Sequence, residues 1–456
     1  MPKERRGAQS ANLFKLSPDT PSSGPYKGYE RLDRVHSAAA RNKELKFSNL
    51  LHHFNFDNLL QAFRELDGSK ASGIDRVSKK QYREKLVDNL VQLEARIRGG
   101  GWRPKPAREV LIPKPQGGFR ALAVGCLEDK IVQTVLSKIL EALYEPLFHE
   151  RSYGFRPRRS AHHAIAYLYG QIKQKADKCT IVDVDIEKFF DKIDHEKMME
   201  YIGERILDPH LLRLIRRTLR NSILSENGET RQSRLGSPQG SPASPVLANI
   251  YLHYVLDKWF QEKWGHAGRI VRYADDAIFV FSDWSKANEF KRALEVRLAD
   301  EGKLKLNMDK SKVTLFSTTR TVGDIQFLGF NFYWGRKYNR VKMLKLKTNP
   351  KRLTRSIKNF TDWIKTQRNR KNLETLWELA AARISGHYNY FGLSFNQAKL
   401  RHFYWECTRS LFKWLNRRSQ RRSFTWKKFQ QRLKLNPLPK PPLGHELKDI
   451  TLGVLI

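Results

Sequence analysis

Cysteine is scarce in this chain of 456 residues, which contains only three. The three are odd in number and far apart in sequence, and no Cys-x-x-Cys pair is present to chelate a zinc ion. We therefore expect reduced thiols rather than a disulfide framework or a zinc centre. The positions are Cys126, Cys179 and Cys407.

Long hydrophobic runs are also missing. Hydrophobic residues make up 40% of the chain, but they are too scattered to form a membrane-spanning segment. The first residues lack the apolar stretch of a signal peptide, so we expect a cytoplasmic protein without membrane contact. The apolar content is nevertheless sufficient for two or three hydrophobic cores.

Acidic residues are the third shortage, because 47 Asp and Glu stand against 85 Lys and Arg and leave a net charge of +38. Self-repulsion of this size is tolerable only if a polyanion normally neutralises it, so nucleic acid is the expected partner. Aromatic residues, 11% of the chain, would add base stacking. A ribosome-bound protein would show the same balance, so the charge alone does not indicate an enzyme.

Two of the few acids are adjacent, Asp275 and Asp276, and they lie between apolar segments at 270–271 and 277–281. Neighbouring side chains on a regular strand point to opposite faces, so only a tight turn directs both acids to one ion. We predict a β-hairpin that carries a divalent-cation site. Two such cations stabilise the attacking and the leaving oxygen of an in-line displacement at phosphorus. A water-exposed Asp-Asp turn without function is a common alternative.

A third carboxylate is expected from another strand, because two acids leave much of two coordination shells unfilled. In segment 181–186, apolar residues alternate with Asp183 and Asp185, which predicts a short strand with both acids on one face. Asp185 is the expected ligand because it lies at the end of this strand. The alternative is that both acids decorate the solvated face of an edge strand.

These segments resemble the ordered blocks of group II intron-encoded reverse transcriptases. The resemblance covers roughly residues 50 to 435, and the order and spacing of its blocks make chance agreement improbable. The departure is at 241–243, where Ser-Pro-Ala replaces a glycine and an aliphatic pair and puts the local loop geometry and the subgroup in doubt. The matching blocks are 110–120, 185–195, 236–252, 273–276, 304–312 and 327–330.

The resemblance implies an α+β fold, a right-hand polymerase whose fingers and antiparallel palm sheet are followed by an α-helical thumb or maturase (X) domain. Within it, apolar spacing predicts one or two short helices in 47–66 and a helix over 127–143. The expected divisions are a flexible basic arm (1–44), an N-terminal extension (45–75), fingers (76–170), a palm with the catalytic centre (171–340), a helical thumb/maturase domain (341–435) and a tail (436–456).

The resemblance also assigns catalytic and nucleotide-binding positions. Two Mg²⁺ ions are expected at the catalytic residues Asp185, Asp275 and Asp276, with Ile186 as a further metal-site position. Lys114 and Arg120 are suited to the β- and γ-phosphates of a dNTP, Phe190 to excluding a 2′-hydroxyl, and Gln239 to contacting nucleotide or template. The alternatives are surface cations, a core phenylalanine (with Phe189 able to exchange roles with Phe190) and plain turn chemistry.

The same family pattern indicates where nucleic acid is held. Phe327, Leu328 and Gly329 would form the primer grip, with a plain β-hairpin as the alternative. Segment 384–392 resembles the aromatic core motif of the maturase domain, and segment 414–422 its basic RNA-contacting helix. The predicted RNA-binding residues, which a solvated charged surface would also explain, are Arg156, Arg158, Arg159, Arg417, Arg418, Arg421 and Arg422.

The implied function is that of an RNA-directed DNA polymerase, a nucleotidyltransferase encoded in a mobile group II intron, which also binds the intron RNA to assist splicing and retrohoming. Its expected partners are the group II intron RNA, an RNA template with DNA primer, target DNA and dNTPs. No C-terminal zinc endonuclease is expected. Three alternatives remain: a splicing-only maturase, a domesticated enzyme of DNA repair or phage defence, and a polymerase linked to CRISPR spacer acquisition.

Overall fold

A computed structural model describes residues 26–113, 118–321, 323–336, 341–418, 424–442 and 447. In chain order the helices are α1 Leu32–Arg41, α2 Phe56–Glu65, α3 Lys79–Glu84, α4 Leu86–Arg98, α5 Leu127–Tyr144, α6 Ala161–Gln174, α7 Phe189–Lys192, α8 His195–Gly203, α9 Pro209–Leu219, α10 Ser244–Leu252, α11 Trp259–Trp264, α12 Trp284–Asp300, α13 Pro350–Gln367, α14 Leu373–Phe391, α15 Gln397–Leu415 and α16 Trp426–Leu435. A 3₁₀ turn at Leu51–His53 and a π-helical stretch at His253–Lys258 accompany them.

The strands complete the α+β fold that the sequence predicts. They are β1 Ala107–Pro113, β2 Phe119–Val124, β3 Thr180–Val184, β4 Ser222–Leu224, β5 Thr230–Gln232, β6 Gly268–Tyr273, β7 Asp276–Phe281, β8 Lys312–Leu315, β9 Ile325–Phe327, β10 Phe330–Arg336 and β11 Lys342–Thr348. They form three sheets, in the orders β2-β1-β4-β5, β6-β7-β3-β8 and β11-β10-β9. None of the helices within the described residues is long and apolar enough to cross a membrane.

The chain divides into two compact units. The first comprises Met1–His149, Lys188–Lys258 and Asp300–Leu304. Its centre is α5, which is buried along most of its length and against which α1 and α2 pack. This helix was predicted over 127–143, and the observed helix ends at Tyr144, before Pro146. The predicted short helices in 47–66 are confirmed as the 3₁₀ turn and α2.

One part of the first unit differs from the sequence prediction. Residues 26–44 were expected to belong to a flexible arm, but α1 is a helix within this segment, and the side chains of Tyr26, Leu32 and Ala39 are buried. The four residues from Ser37 to Ala40 include three alanines. Alanine contributes little to a hydrophobic periodicity, so the sequence did not indicate a helix here, but its short side chain lets α1 pack closely against α5. Residues 1–25 lie outside the described part of the chain.

The second unit comprises Glu150–Glu187, Trp259–Ala299 and Lys305–Ile456. Its main sheet is antiparallel throughout, with β7 between β6 and β3 and with β8 on the other side of β3. Ala277 to Phe281 of β7 are all fully buried, which explains the continuous apolar run in the sequence. The predicted β3 strand and β6–β7 hairpin are both confirmed.

The helical C-terminal part of the second unit is also confirmed, with α13, α14, α15 and α16 in the region that the resemblance implied to be helical. The basic run at 414–422 is different, because α15 ends at Leu415 and Arg417 and Arg418 follow the helix, whereas 419–422 lie outside the described residues. The prediction of a basic helix over the whole run is therefore wrong. Residues 188–258 and 300–304, which fall within the expected palm, belong to the first unit.

Candidate active site

The hairpin turn at residues 273–276 presents the two adjacent acids. Tyr273 pairs with Asp276, so the turn consists of Ala274 and Asp275, and Ala274 has a φ of 59°. The fully buried Arg272 stabilises this turn from behind, where its Nη1 donates to the Ala274 carbonyl over 2.9 Å. A buried arginine that donates to a carbonyl of the turn helps to fix the geometry of the turn.

A second segment of the same unit supports the turn. Ser152 forms a β-bridge with Arg272, in which the Tyr153 amide donates to the Arg272 carbonyl over 2.8 Å and the Arg272 amide donates to the Arg151 carbonyl over 3.0 Å. At the next residue, a Cβ on Gly154 would lie 2.4 Å from the Ala274 nitrogen. Only glycine permits this approach, which explains why one follows Tyr153.

Strand register brings the third acid to the hairpin. Val184 of β3 pairs with Ala277 of β7, so the next antiparallel pair outward is Asp185 with Asp276. Asp183 lies two residues before Asp185 and therefore on the same face. The structure thus places Asp183, Asp185, Asp275 and Asp276 at one end of one sheet, as the sequence predicted for three of them.

The four acids interact electrostatically. Burial, together with the negative charges of Asp183, Asp275 and Asp185, raises the pKa of Asp276 from 3.8 to about 7. Burial and the charge of Asp185 raise the pKa of Asp183 to about 6. Like charges this close favour protonation of some members of the cluster unless a cation neutralises them.

The turn just before β8 adds a cation that the sequence analysis did not assign. The Lys310 Nζ lies 3.3 Å from the Asp185 Oδ2. Both side chains are exposed, and such pairs contribute about 0–1 kcal/mol, so a divalent cation can displace this lysine.

The donor set fits a divalent cation in kind, because carboxylate oxygens are the ligands that hard cations prefer and their mutual repulsion is relieved by a positive ion. Within the part of the chain that the structure describes, however, no three His, Cys, Asp or Glu side chains are already arranged to hold one. Ile186 could contribute only its backbone carbonyl. The bridge from Ile186 to Leu306 uses the carbonyls of Asp185 and Lys305 and so leaves that carbonyl unused by the bridge.

The raised pKa of Asp276 predicts a stability effect. Its carboxyl holds an extra proton in the folded state between about pH 3.8 and 7, so its contribution favours folding at low pH and is lost as the pH rises through about 7. In metal-free protein at pH 8, Asp276→Asn should therefore unfold with a free energy about 2–4 kcal/mol higher than the wild type, at about 1.4 kcal/mol per pKa unit. Urea unfolding of both proteins in EDTA, at pH 8 and at pH 4.5, measures this difference in the free energy of unfolding. The difference between Asp276→Asn and wild type should be smaller at pH 4.5. Equal stabilities of the two proteins at pH 8 would contradict the argument.

The residues expected to bind a nucleotide lie in the first unit. Phe190, Ala123, Gly236 and Gln239 line one groove there, and the Gln239 Nε2 donates to the Asp191 Oδ1 over 3.0 Å. The Gln239 carbonyl accepts a hydrogen bond from the Ala123 amide over 2.8 Å, which fixes the loop against β2.

The two neighbouring phenylalanines have different environments. Phe189 is 1% exposed, whereas Phe190 is only partly buried and lines the groove, which favours Phe190 as the residue available to a ligand. Arg120 is exposed on β2, opposite Ile112 in the β1–β2 hairpin. Lys114 lies outside the described residues.

The predicted primer grip is a two-residue hairpin turn in the second unit. Phe327 pairs with Phe330, and both turn residues have positive φ, 47° at Leu328 and 82° at Gly329. The hydroxyl of Tyr390, from α14, donates to the Leu328 carbonyl over 2.8 Å. A helix of the C-terminal region therefore holds this turn, a contact that sequence reasoning missed because it joins residues 62 positions apart.

The predicted RNA-binding arginines have different environments. Arg156 is buried, and its Nη1 donates to the Ser152 carbonyl over 2.8 Å, so it stabilises the segment that supports the turn at residues 273–276. Arg158 is exposed with a φ of 58°, and Arg159 donates to the Glu150 carbonyl. Arg417 is exposed, and Arg418 donates to the Lys371 carbonyl over 3.0 Å. Arg421 and Arg422 lie outside the described residues.

Comparison with known families gives one match. Residues 112–332 match the family described as "Reverse transcriptase (RNA-dependent DNA polymerase)". This interval contains β3, the β6–β7 hairpin and β8, so it includes all four acids and Lys310.

Curated relatives extend the comparison. "Protein YkfC" of Escherichia coli (strain K12) is 32% identical over 279 residues, 54% of this chain and 73% of that protein. The "Group II intron-encoded protein LtrA" of Lactococcus lactis subsp. cremoris is 31% identical over 233 residues, 50% of this chain and 38% of that protein. The "Uncharacterized 91 kDa protein in cob intron" of Schizosaccharomyces pombe is 38% identical over 191 residues, 41% and 23% respectively. The chain thus spans less than two-fifths of the length of these two intron proteins.

Proposed function

Because this chain belongs to the reverse transcriptase (RNA-dependent DNA polymerase) family and has relatives encoded in group II introns, we propose that it is an intron-encoded RNA-directed DNA polymerase that also binds its intron RNA to assist splicing and retrohoming. One observation carries the catalytic part of this proposal. The register of β3 and β7 puts Asp185 opposite Asp276, and burial together with the charges of the other three acids raises the pKa of Asp276.

The proposed chemistry assigns a task to each acid. Asp185, Asp275 and Asp276 would hold two Mg²⁺ ions, which supply a lowered pKa at the primer 3′-hydroxyl and charge neutralisation at the triphosphate. Because these acids extend from strand ends held by a buried sheet, their oxygens are positioned before substrate arrives. Asp183, further into the strand, maintains the negative potential that attracts the cations.

The proposed substrate is a dNTP on an RNA template with a DNA primer. In the groove, the Phe190 ring would contact the sugar, and the Gln239 amide would contact the nucleotide or template. Lys114 and Arg120 would contact the phosphates through their positive charges. We keep the predicted fingers, palm and thumb boundaries as a proposal.

The proposed splicing role depends on the basic C-terminal helices. The exposed Arg417 follows α15, and the intron RNA and target DNA are polyanions that such a surface attracts. The relatives named for introns support this partner class.

Primer extension tests the proposal. The full chain, incubated with a DNA primer on an RNA template, dNTPs and Mg²⁺, should extend the primer, and EDTA should stop the reaction. A parallel self-splicing assay with the RNA that flanks the reading frame measures the second activity. Rescue of splicing with no primer extension would refute the polymerase and favour a splicing-only maturase.

Replacing Phe190 should change sugar selectivity. Phe190→Val removes the ring that would collide with a 2′-hydroxyl, so the ratio of kcat/KM for dNTP over rNTP should fall about tenfold or more. Single-nucleotide incorporation with each substrate measures this ratio.

The neighbouring ring provides the control for that experiment. Phe189→Leu changes a buried residue that packs against Tyr251, so it should lower stability by about 1 kcal/mol and leave the sugar ratio unchanged. If Phe189→Leu lowers the ratio and Phe190→Val does not, the two assignments must be exchanged.

A further inference from the structure

A groove in the second unit, separate from the catalytic sheet, exposes two tryptophans. Trp405 on α15 is 52% exposed and Trp426 at the start of α16 is 43% exposed. Both line the groove together with Thr361 of α13 and Arg409 and Lys413 of α15. Large aromatic side chains left in water near cations are typical of binding surfaces.

The spacing along α15 places the groove residues on one face. Trp405, Arg409 and Lys413 are four residues apart, so they follow one another along the helix surface. The floor is fixed by a 2.8 Å hydrogen bond between the hydroxyls of Thr361 and Ser410. The aromatic lining is therefore held by the packing of α13 against α15.

The second tryptophan is held by its own neighbours. The ring of Phe412 meets that of Trp426 edge-on at 4.9 Å, and Trp426 in turn stacks near the buried Phe429 at 5.6 Å. One side of the Trp426 indole is thus packed, while 43% of the residue remains in contact with solvent. A rigid, partly exposed ring of this kind can stack a planar ligand at little entropic cost.

The charges in the groove favour an anionic ligand. The Arg409 guanidinium lies 4.4 Å from the centre of the Trp405 ring, and its one ion-pair contact with Glu406 is long, 3.8 Å. Lys413 is exposed. A base stacked on Trp405 would thus have an arginine beside it for the adjoining phosphate.

The groove adjoins a cluster of cations around a third tryptophan, Trp414. Four positive groups lie within 5.0 to 5.7 Å of this ring, and none of the ion pairs found between described side chains includes any of them. Their mutual repulsion is relieved when a polyanion lies nearby. The four are Lys365, Arg368, Lys413 and Arg417.

We propose that this groove is a binding site for single-stranded RNA, in which bases stack on Trp405 and Trp426 and phosphates contact Arg409 and Lys413. The choice of RNA rests on the proposed function, in which the chain works on an RNA. The combination of exposed indoles with cations at helical spacing fits a single strand, whose bases are free to stack. The four cations around Trp414 extend the path for its backbone.

Binding of a short, labelled oligouridylate by the full chain tests the site, measured by fluorescence anisotropy in enough salt to weaken nonspecific contacts. Trp405→Ala should weaken binding about tenfold, since stacking of one base contributes roughly 1–3 kcal/mol. Trp405→Phe should retain most of the affinity. Arg409→Ala should reduce the slope of log affinity against log salt by about 0.7, the value for one phosphate contact on a single strand.

A matched control is available in the same unit. Trp284, at the start of α12, is 45% exposed but belongs to another surface, so Trp284→Ala should leave RNA affinity unchanged. Primer extension on a short primed template should be unchanged in Trp405→Ala, which separates this site from the polymerase activity.

Three results would overturn the proposed site. The first is equal RNA affinity in wild type and Trp405→Ala, and the second is an equal loss of RNA affinity in Trp405→Ala and Trp284→Ala. The third is found by repeating the titration with an oligodeoxythymidylate: Trp405→Ala weakens binding of the DNA strand but not of the oligouridylate. A chain that lacks polymerase activity but shows the expected Trp405 effect would refute the proposed function and leave the groove as an RNA site.

Discussion

Asp185→Asn, Asp275→Asn and Asp276→Asn should each lower the rate of dNTP incorporation on a primed RNA template by on the order of a thousandfold, which an ordinary primer-extension gel records as loss of synthesis. Asparagine keeps the shape of the side chain but removes the negative charge that holds a divalent cation. Single-turnover incorporation at saturating Mg²⁺ and dNTP measures the effect on the chemical step.

Asp183→Asn is the matched control, because this acid shares a sheet face with Asp185 but lies two residue pairs further from the hairpin turn. It should lower the rate less than about tenfold, through a weaker attraction for the cations. Each variant must retain a wild-type thermal unfolding transition or a higher one, since no packing is lost. Full activity in any of the three variants, or a loss in Asp183→Asn equal to theirs, would refute the assignment of the catalytic acids.

Strand patterns allowed the catalytic sheet to be predicted from the sequence. Alternation in β3 identified the face of Asp183 and Asp185, and two adjacent acids between apolar runs identified the β6–β7 hairpin. Both signals are local, because they depend on which residues follow each other along one strand. The resemblance to a known family then supplied the order of the blocks. The family match over residues 112–332 confirms that resemblance.

What the sequence did not predict depends on distant pairs. Lys310 reaches Asp185 across 125 positions, and the Tyr390 hydroxyl reaches the Leu328 carbonyl across 62. No periodicity within one segment encodes such contacts, since strand order and helix packing decide them. Arg156 is another residue whose environment the sequence did not predict. It belongs to a run of arginines that is typical of an exposed surface, but its guanidinium is buried and donates to the Ser152 carbonyl.

The division into compact units cuts across the segment predicted as the palm. The palm at 171–340 stays a prediction, and within it residues 188–258 and 300–304 belong to the first compact unit. The order of motifs along the chain does not indicate which segments pack together in space. The division into two compact units could therefore not be predicted from the sequence. The four acids and their hairpin, by contrast, stay together in the second unit because one sheet carries them.

Gly154→Ala should damage both the stability and the activity of the protein, although residue 154 is not a predicted ligand. A Cβ at this position would lie 2.4 Å from the Ala274 nitrogen and 3.0 Å from the Tyr273 carbonyl carbon. Both atoms are backbone of the catalytic turn, so no side chain can rotate away and the turn itself must move. We expect about 1–3 kcal/mol of destabilisation and, for a displacement of roughly 1 Å, on the order of a hundredfold loss of kcat.

Gly170→Ala separates this steric effect from the general consequence of replacing glycine. Gly170 lies within α6 of the same unit, and a Cβ there would meet no atom within 4 Å. Alanine should therefore stabilise the helix by about 0.5–1 kcal/mol and leave kcat unchanged. Urea unfolding and single-turnover incorporation measure the two effects. If Gly154→Ala keeps wild-type kcat while Asp276→Asn loses it, the contact between 154 and 274 does not fix the catalytic turn, and its geometry must be determined by Arg272 and the strand register alone.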